Sequence, residues 1–156
     1  MTAKPKDKVE KRLDQVAQIC AARGSRLTDI RRGVLGLVLR SPGPVGAYAL
    51  LDQLKTQRPN AAPVTVYRAL DFLIENGLIH KVERLNAFVA CTGHGDNGHH
   101  EHAVQFLICR RCGTVAEMDD RGIAAAVSHA AGQTGFRPAH ATIEVEGTCG
   151  ACAAIG

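Results

Sequence analysis

Two Cys-x-x-Cys pairs, Cys109-Arg110-Arg111-Cys112 and Cys149-Gly150-Ala151-Cys152, bracket the last third of the chain. Two residues between cysteines let one turn of backbone bring both sulfurs to a single metal, and two such pairs complete a closed, tetrahedral structural zinc site. The 36 residues between the pairs exceed a zinc ribbon's usual spacer. They can hold a strand, a helix and a return strand, so the chain has to fold back on itself to join the knuckles. A dithiol redox centre is the rival use of such a pair, and it has to explain why there are two.

At 156 residues and 46% hydrophobic content, two small domains are expected. Each buries little apolar surface alone, so a zinc staple and a partner subunit are plausible sources of stability. No run approaches the roughly 18 apolar residues of a membrane span, and the charged start MTAKPKDKVEKR has no apolar segment behind it to make a signal peptide. A cytoplasmic protein is expected, and in a reducing compartment paired cysteines serve as metal ligands or redox centres more often than as disulfides. Residues 1–90 carry 15 Lys+Arg against 8 Asp+Glu, whereas residues 91–156 carry 4 against 7. Either the front half meets a polyanion or it has a merely solvated basic surface.

Apolar residues at Val9, Leu13, Val16, Ala17 and Cys20 mark a helix ending at Gly24, with Cys20 as core. Thr28 is a good N-cap for a second helix to Arg40, with Ile30, Val34, Leu37 and Val38 inward, stopped by Ser41-Pro42-Gly43-Pro44. A third helix spans Ala47 to Lys55. Pro63 opens a fourth, with Val66, Leu70, Leu73 and Ile74 inward and Thr65, Tyr67, Arg68 and Asp71 outward, ending at Gly77. Strands over Leu78–Glu83 and Ala87–Cys91, turned at Arg84-Leu85-Asn86, complete a winged helix-turn-helix over residues 1–91.

Residues 92–102, rich in Gly, Asp, Asn and His, read as a hinge. A small α/β unit follows over 103–156: strands over Val104–Ile108 and Thr114–Met118, a helix from Arg121 to Thr134 capped by Asp120, and a strand over Ala141–Glu146. The fold class is α+β.

His99-His100-Glu101 formally fits the start of a zinc-deaminase motif. Ile108 stands where that motif needs proline, however, and seven residues between Glu101 and Cys109 leave no room for its crossover. His80, Cys91, His94, His99, His100 and His102 crowd the hinge, which points to a second metal site with ligands from both domains, suited to a metal-responsive switch.

Leu27-Thr28 followed by Arg31, then Thr65-Val66-Tyr67-Arg68-Ala69-Leu70, a His-rich hinge and the paired Cys-x-x-Cys together resemble the ferric uptake regulator family over essentially the whole chain. TVYRALDFLIENGLIHKVE with His80 and Cys91 resembles its zinc uptake regulator branch. Asp29 stands where the family often has proline, and an acid in the first helical turn suits the helix dipole equally well.

The resemblance implies a homodimeric, DNA-binding transcriptional repressor whose second domain dimerises. It places structural zinc on Cys109, Cys112, Cys149 and Cys152, and regulatory zinc on His80, Cys91, His102 and Glu117. Extra residues after Cys91 make His99 or His100 an alternative to His102, and a third zinc would draw on His99, His100 and His140. About two zinc ions per chain are expected, with His94 and His129 left solvated. Cys91 itself favours tetrahedral zinc over a harder, six-coordinate ion.

On this reading Arg68 reads bases in the major groove with Tyr67 beside it. Thr65, Tyr48, Arg31, Arg32, Lys81 and Arg84 hold the phosphates of a pseudo-palindromic operator. The rivals are another metal or peroxide sensor on the same fold, a zinc-handling protein that does not use DNA, and a zinc metalloenzyme. Four protein ligands at the regulatory zinc leave no open position for catalysis, so no enzyme activity is expected.

Overall fold

Helical spacing of apolar residues builds the first half of the chain. The computed structural model describes residues 5–92 and 103–156, so His94, His99, His100, His102 and nearly all of the expected hinge lie outside the described residues. Two compact units divide between Gly98 and His99.

In the first unit, Leu13, Val16 and Cys20 of α1 (Pro5–Ala22) are buried on one face. The helix begins earlier than its apolar stripe, because proline is tolerated in a first turn and the charged residues after it leave no periodic signal. Thr28 caps α2 (Asp29–Arg40), its hydroxyl accepting from the Arg31 amide at 3.5 Å. Val34, Leu35 and Val38 of α2 are buried, and the helix packs against α1, α3 (Ala47–Lys55) and α4 (Pro63–Glu75). Arg32 donates to Glu10 and Asp14 at 3.0 and 2.7 Å, and Arg40 to Glu10 at 2.6 Å. Exposed pairs of this kind contribute below about 1 kcal/mol each, so the apolar stripe holds α1 and the ion pairs orient it.

Pro63 opens α4, whose buried face is Val66, Ala69, Leu70 and Leu73. Ile74 was expected on that face and is 38% exposed. At 3.6 residues per turn Val66 and Leu73 centre the stripe, which turns Ile74 about 90° aside, next to Tyr67. Gly77, at φ 66°, closes the helix. Its amide donates to Ile74 O and that of Leu78 to Leu73 O, both at 2.9 Å, a Schellman cap that needs the left-handed conformation glycine adopts freely. The chain then enters a hairpin, β1 (Ile79–Val82) antiparallel to β2 (Ala87–Ala90), with Ile79 opposite Ala90 and His80 opposite Val89. Its turn is one 3-10 turn, Glu83–Leu85, followed by left-handed Asn86. Val45 pairs with Phe88 through bonds of 3.0 and 2.8 Å, fastening the hairpin to the segment before α3. Four helices and a buried-edge hairpin form a winged helix-turn-helix.

The second unit is a three-stranded sheet, ordered β4-β3-β5, with α5 (Arg121–Gln133) between β4 (Val115–Met118) and β5 (Thr142–Gly147) in sequence. Central β3 (Val104–Cys109) runs antiparallel to β4 and parallel to β5. Asp120 caps α5 by accepting from the Ile123 amide at 3.0 Å, and Phe106, Ile108 and Cys109 are buried. A short α6 (Gly150–Ala153) has no buried side chain and hence no periodicity to announce it. Among the described residues, no helix is long and apolar enough to cross a membrane.

Replacing Gly77 by Ala should lower the stability of the winged helix by about 1–2 kcal/mol, the cost of forcing a Cβ into left-handed backbone. Gly43→Ala, at a site with nothing within 4 Å, should leave it within about 0.5 kcal/mol. Urea denaturation of the two variants followed by circular dichroism compares them.

Candidate metal centres and nucleic-acid interface

The sheet of the second unit delivers the four thiols to one place. Cys109 is the last residue of β3, and Cys112 follows in the turn to β4. In the parallel register Cys109 lies beside Gly147, the last residue of β5, and Arg110 N donates to Gly147 O at 2.9 Å. Two residues on, Cys149 caps α6 and Cys152 lies within it. The four sulfurs all lie within 4.8 Å of one another, with Cys112 Sγ to Cys149 Sγ at 3.8 Å. A zinc–sulfur distance of about 2.3 Å at the tetrahedral angle requires sulfurs about 3.8 Å apart. The donor set and its spacing therefore fit tetrahedral zinc.

The backbone prepares these sulfurs for a cation. Cys109 Sγ accepts from the Cys149 amide at 3.3 Å. That bond, followed by the Cys112 amide, draws the Cys109 thiol down to about 6. Cys112 is also lowered, chiefly by the Thr114 hydroxyl at 3.1 Å. Cys152 is pushed up to about 12, first by Cys149, then by Cys112 and burial. Thiolates, not thiols, ligate a divalent cation, so metal uptake at this centre must release protons.

A second set of donors sits on the wing. His80 is opposite Val89, and Cys91, two residues beyond Val89, is its diagonal neighbour on the same face. Cys91 N donates to Leu78 O at 3.1 Å, extending the pairing by one step. The His80 and Cys91 ligand atoms lie within 4.8 Å of each other. In the second unit Glu117 stands on β4 opposite Phe106, half-buried. His102, the remaining expected ligand, is outside the described residues, as are His99 and His100; His140 is exposed before β5. His129 bonds Gln133 at 3.1 Å one turn along α5.

On the outer face of α4, Tyr67 and Arg68 are exposed and Thr65 is half-buried. Tyr48, at the start of α3, is 69% exposed. The other cations expected on phosphates are more committed. Arg31 lies 3.6 Å over the Phe72 ring and donates to Arg26 O at 2.7 Å. Arg32 is held by Glu10 and Asp14, and Lys81 meets Glu83 at 2.7 Å. Arg84 is exposed in the wing turn. Partners 18 or 22 residues away give a basic residue no mark in the sequence. Thr114 and Arg111, which bond Cys112 and the carbonyl of Cys152, were likewise not singled out.

A winged helix and a four-thiol centre on one chain define a metal-holding regulator of transcription. The profile of the ferric uptake regulator family matches residues 22–146. The zinc uptake regulation protein of Escherichia coli (strain K12) is 42% identical over 143 residues, 92% of this chain and 82% of that protein. A solved zinc uptake regulator complexed with zinc and DNA superposes with a TM-score of 0.86 at 41% identity, over 94% of this chain and 96% of that one. The crystal structure of holo XcZur gives 0.82 at 46% identity, over 92% and 98%. The chain belongs to the ferric uptake regulator family.

Changing Cys149 to Ser should lower the tightly held zinc by one ion per chain in elemental analysis. The same change should lower the melting temperature of the second unit, whose α6 has no apolar anchor.

Proposed function

We propose that this chain is a cytoplasmic, zinc-responsive transcriptional repressor that acts as a homodimer on pseudo-palindromic operators of zinc-uptake genes. The observation that carries this reading is the placement of His80 and Cys91 on one face of the wing, three and fourteen residues beyond the Gly77 cap of α4. A metal-ligating pair is thereby built into the element that continues the DNA-reading helix. The relatives support the choice of metal and partner: one is solved with zinc and DNA.

In this account residues 1–91 bind DNA, residues 92–102 form a metal-binding hinge and residues 103–156 dimerise. Cys109, Cys112, Cys149 and Cys152 hold a permanent zinc that closes the second unit. His80 and Cys91, with Glu117 and His102, form the regulatory site, where His99 or His100 is the alternative to His102. Zinc there supplies a four-coordinate crosslink with no open position for catalysis. The donors favour one arrangement of wing and second unit because that arrangement completes the ligand set, and DNA selects the same arrangement. Each ligand then raises the affinity for the other by the same factor.

Leu107 and Val145, cross-strand neighbours on β3 and β5, are 42% and 48% exposed. An exposed apolar pair on neighbouring strands suits burial against a second copy.

Titrating zinc, iron(II) and manganese(II) into a DNA-binding assay with an operator fragment should give tight binding with zinc alone; an equal response to iron would overturn the zinc assignment. Arg68→Ala should weaken operator binding by about 1–3 kcal/mol with zinc content unchanged. Leu107→Asp should shift the protein toward monomer in analytical ultracentrifugation, and a parent-like dimer would remove that sheet face from the interface.

A further inference from the structure

The second cysteine pair sits on a segment with little to hold it. Hydrogen bonding to β3 carries β5 as far as Gly147. Beyond that point α6 buries no side chain, and Thr148, Gly150, Ala151 and Ala153–Gly156 are all exposed. Yet Cys149 and Cys152 have to be fixed to within tenths of an ångström for a four-coordinate ion. Hydrophobic packing supplies little of that order, because apart from the half-buried cysteines the side chains of the segment are exposed.

One side chain of the first pair reaches across. Arg111 lies between Cys109 and Cys112, and its guanidinium donates to Cys152 O at 2.8 Å and to Gly156 O at 3.4 Å. The two nitrogens of one planar fork thus take two backbone oxygens of the α6 segment, across 41 and 45 residues of sequence. Such a fork fixes direction as well as distance, which the ammonium of lysine does not. The cation also belongs beside this centre on charge grounds, since four thiolates around one divalent ion leave two negative charges in excess.

We infer that Arg111 is a positioning residue of the four-thiol centre: it clamps the α6 segment against the first knuckle and so sets how tightly the structural zinc is retained. This rests on reading the four cysteines as a zinc site. Arg111 touches no metal in this scheme and acts through Cys152.

The test uses full-length protein loaded with zinc. Release of zinc to excess EDTA is followed with a zinc-indicator dye for the parent, Arg111→Ala, Arg111→Lys and, as control, Arg110→Ala, a neighbouring arginine exposed to the same class as Arg111. Loss of a residue that orients a metal ligand costs about 10- to 100-fold in affinity. Arg111→Ala should therefore release the tightly held zinc about 10- to 100-fold faster than the parent, Arg110→Ala at the parent's rate, and Arg111→Lys in between. The cobalt(II)-loaded Arg111→Ala protein should show altered absorption bands while its far-ultraviolet circular dichroism matches the parent. Parent-like release and an unchanged cobalt spectrum in Arg111→Ala would overturn the inference. Should that variant fail to fold, Arg111→Lys decides alone, and release at the parent's rate would overturn it. Cys149→Ser separates the two levels: if it holds as much zinc as the parent, the four-thiol reading itself fails; if it loses zinc while Arg111→Ala behaves as the parent, only the role of Arg111 falls.

Discussion

The pairing of β1 with β2 is the constraint on which the regulatory reading depends. Because side chains alternate along a strand, a slip of one residue in this register would send His80 and Cys91 to opposite faces. Three features prevent the slip. Ile79, Val82, Ala87 and Phe88 are buried, so a shifted register would expose them. The Val45–Phe88 bridge locks β2 from its other side. The Gly77 cap fixes where β1 starts relative to α4. The hairpin that carries His80 and Cys91 thus shares one packed core with α4, which it follows after Gly77 and Leu78.

The second unit solves a different problem with different means. Its sheet has three strands and its helix buries little beyond Ala124, so the apolar core is small. A four-thiol centre closes the end of the sheet by joining the β3–β4 turn to the segment after β5. In small domains such a crosslink contributes folding free energy directly. The cost is four thiols crowded within 4.8 Å, where backbone donors draw Cys109 down to about 6 and the neighbouring sulfurs push Cys152 up to about 12.

Much of this was legible in the sequence because it rests on local signals. Proline at a first turn, Thr28 and Asp120 at N-caps and Gly77 at a helix end placed α2, α4 and α5 closely, and short apolar runs between turn signals placed the strands. The two Cys-x-x-Cys pairs announced a shared centre before any geometry was known. Errors arose where periodicity was weak or absent: Ile74 sits at the margin of its stripe, the charged start of α1 is polar all round, and α6 buries no side chain. Long-range pairing was invisible altogether. Arg32 looks like any basic residue until Glu10 and Asp14 are brought to it, and Arg111 looks like spacer until α6 folds back. His80 and Cys91 were noticed for their residue types, but their shared face follows only from the hairpin register.

In the proposed regulator Cys91 senses metal while the four paired cysteines hold it. Comparing the full-length parent with Cys91→Ser, by zinc content and by zinc-dependent binding to an operator fragment in the same preparations, tests this most directly. The variant should keep the tightly held zinc of the four-thiol centre and lose zinc-dependent DNA binding. A variant that answers zinc as the parent does would contradict that role of Cys91.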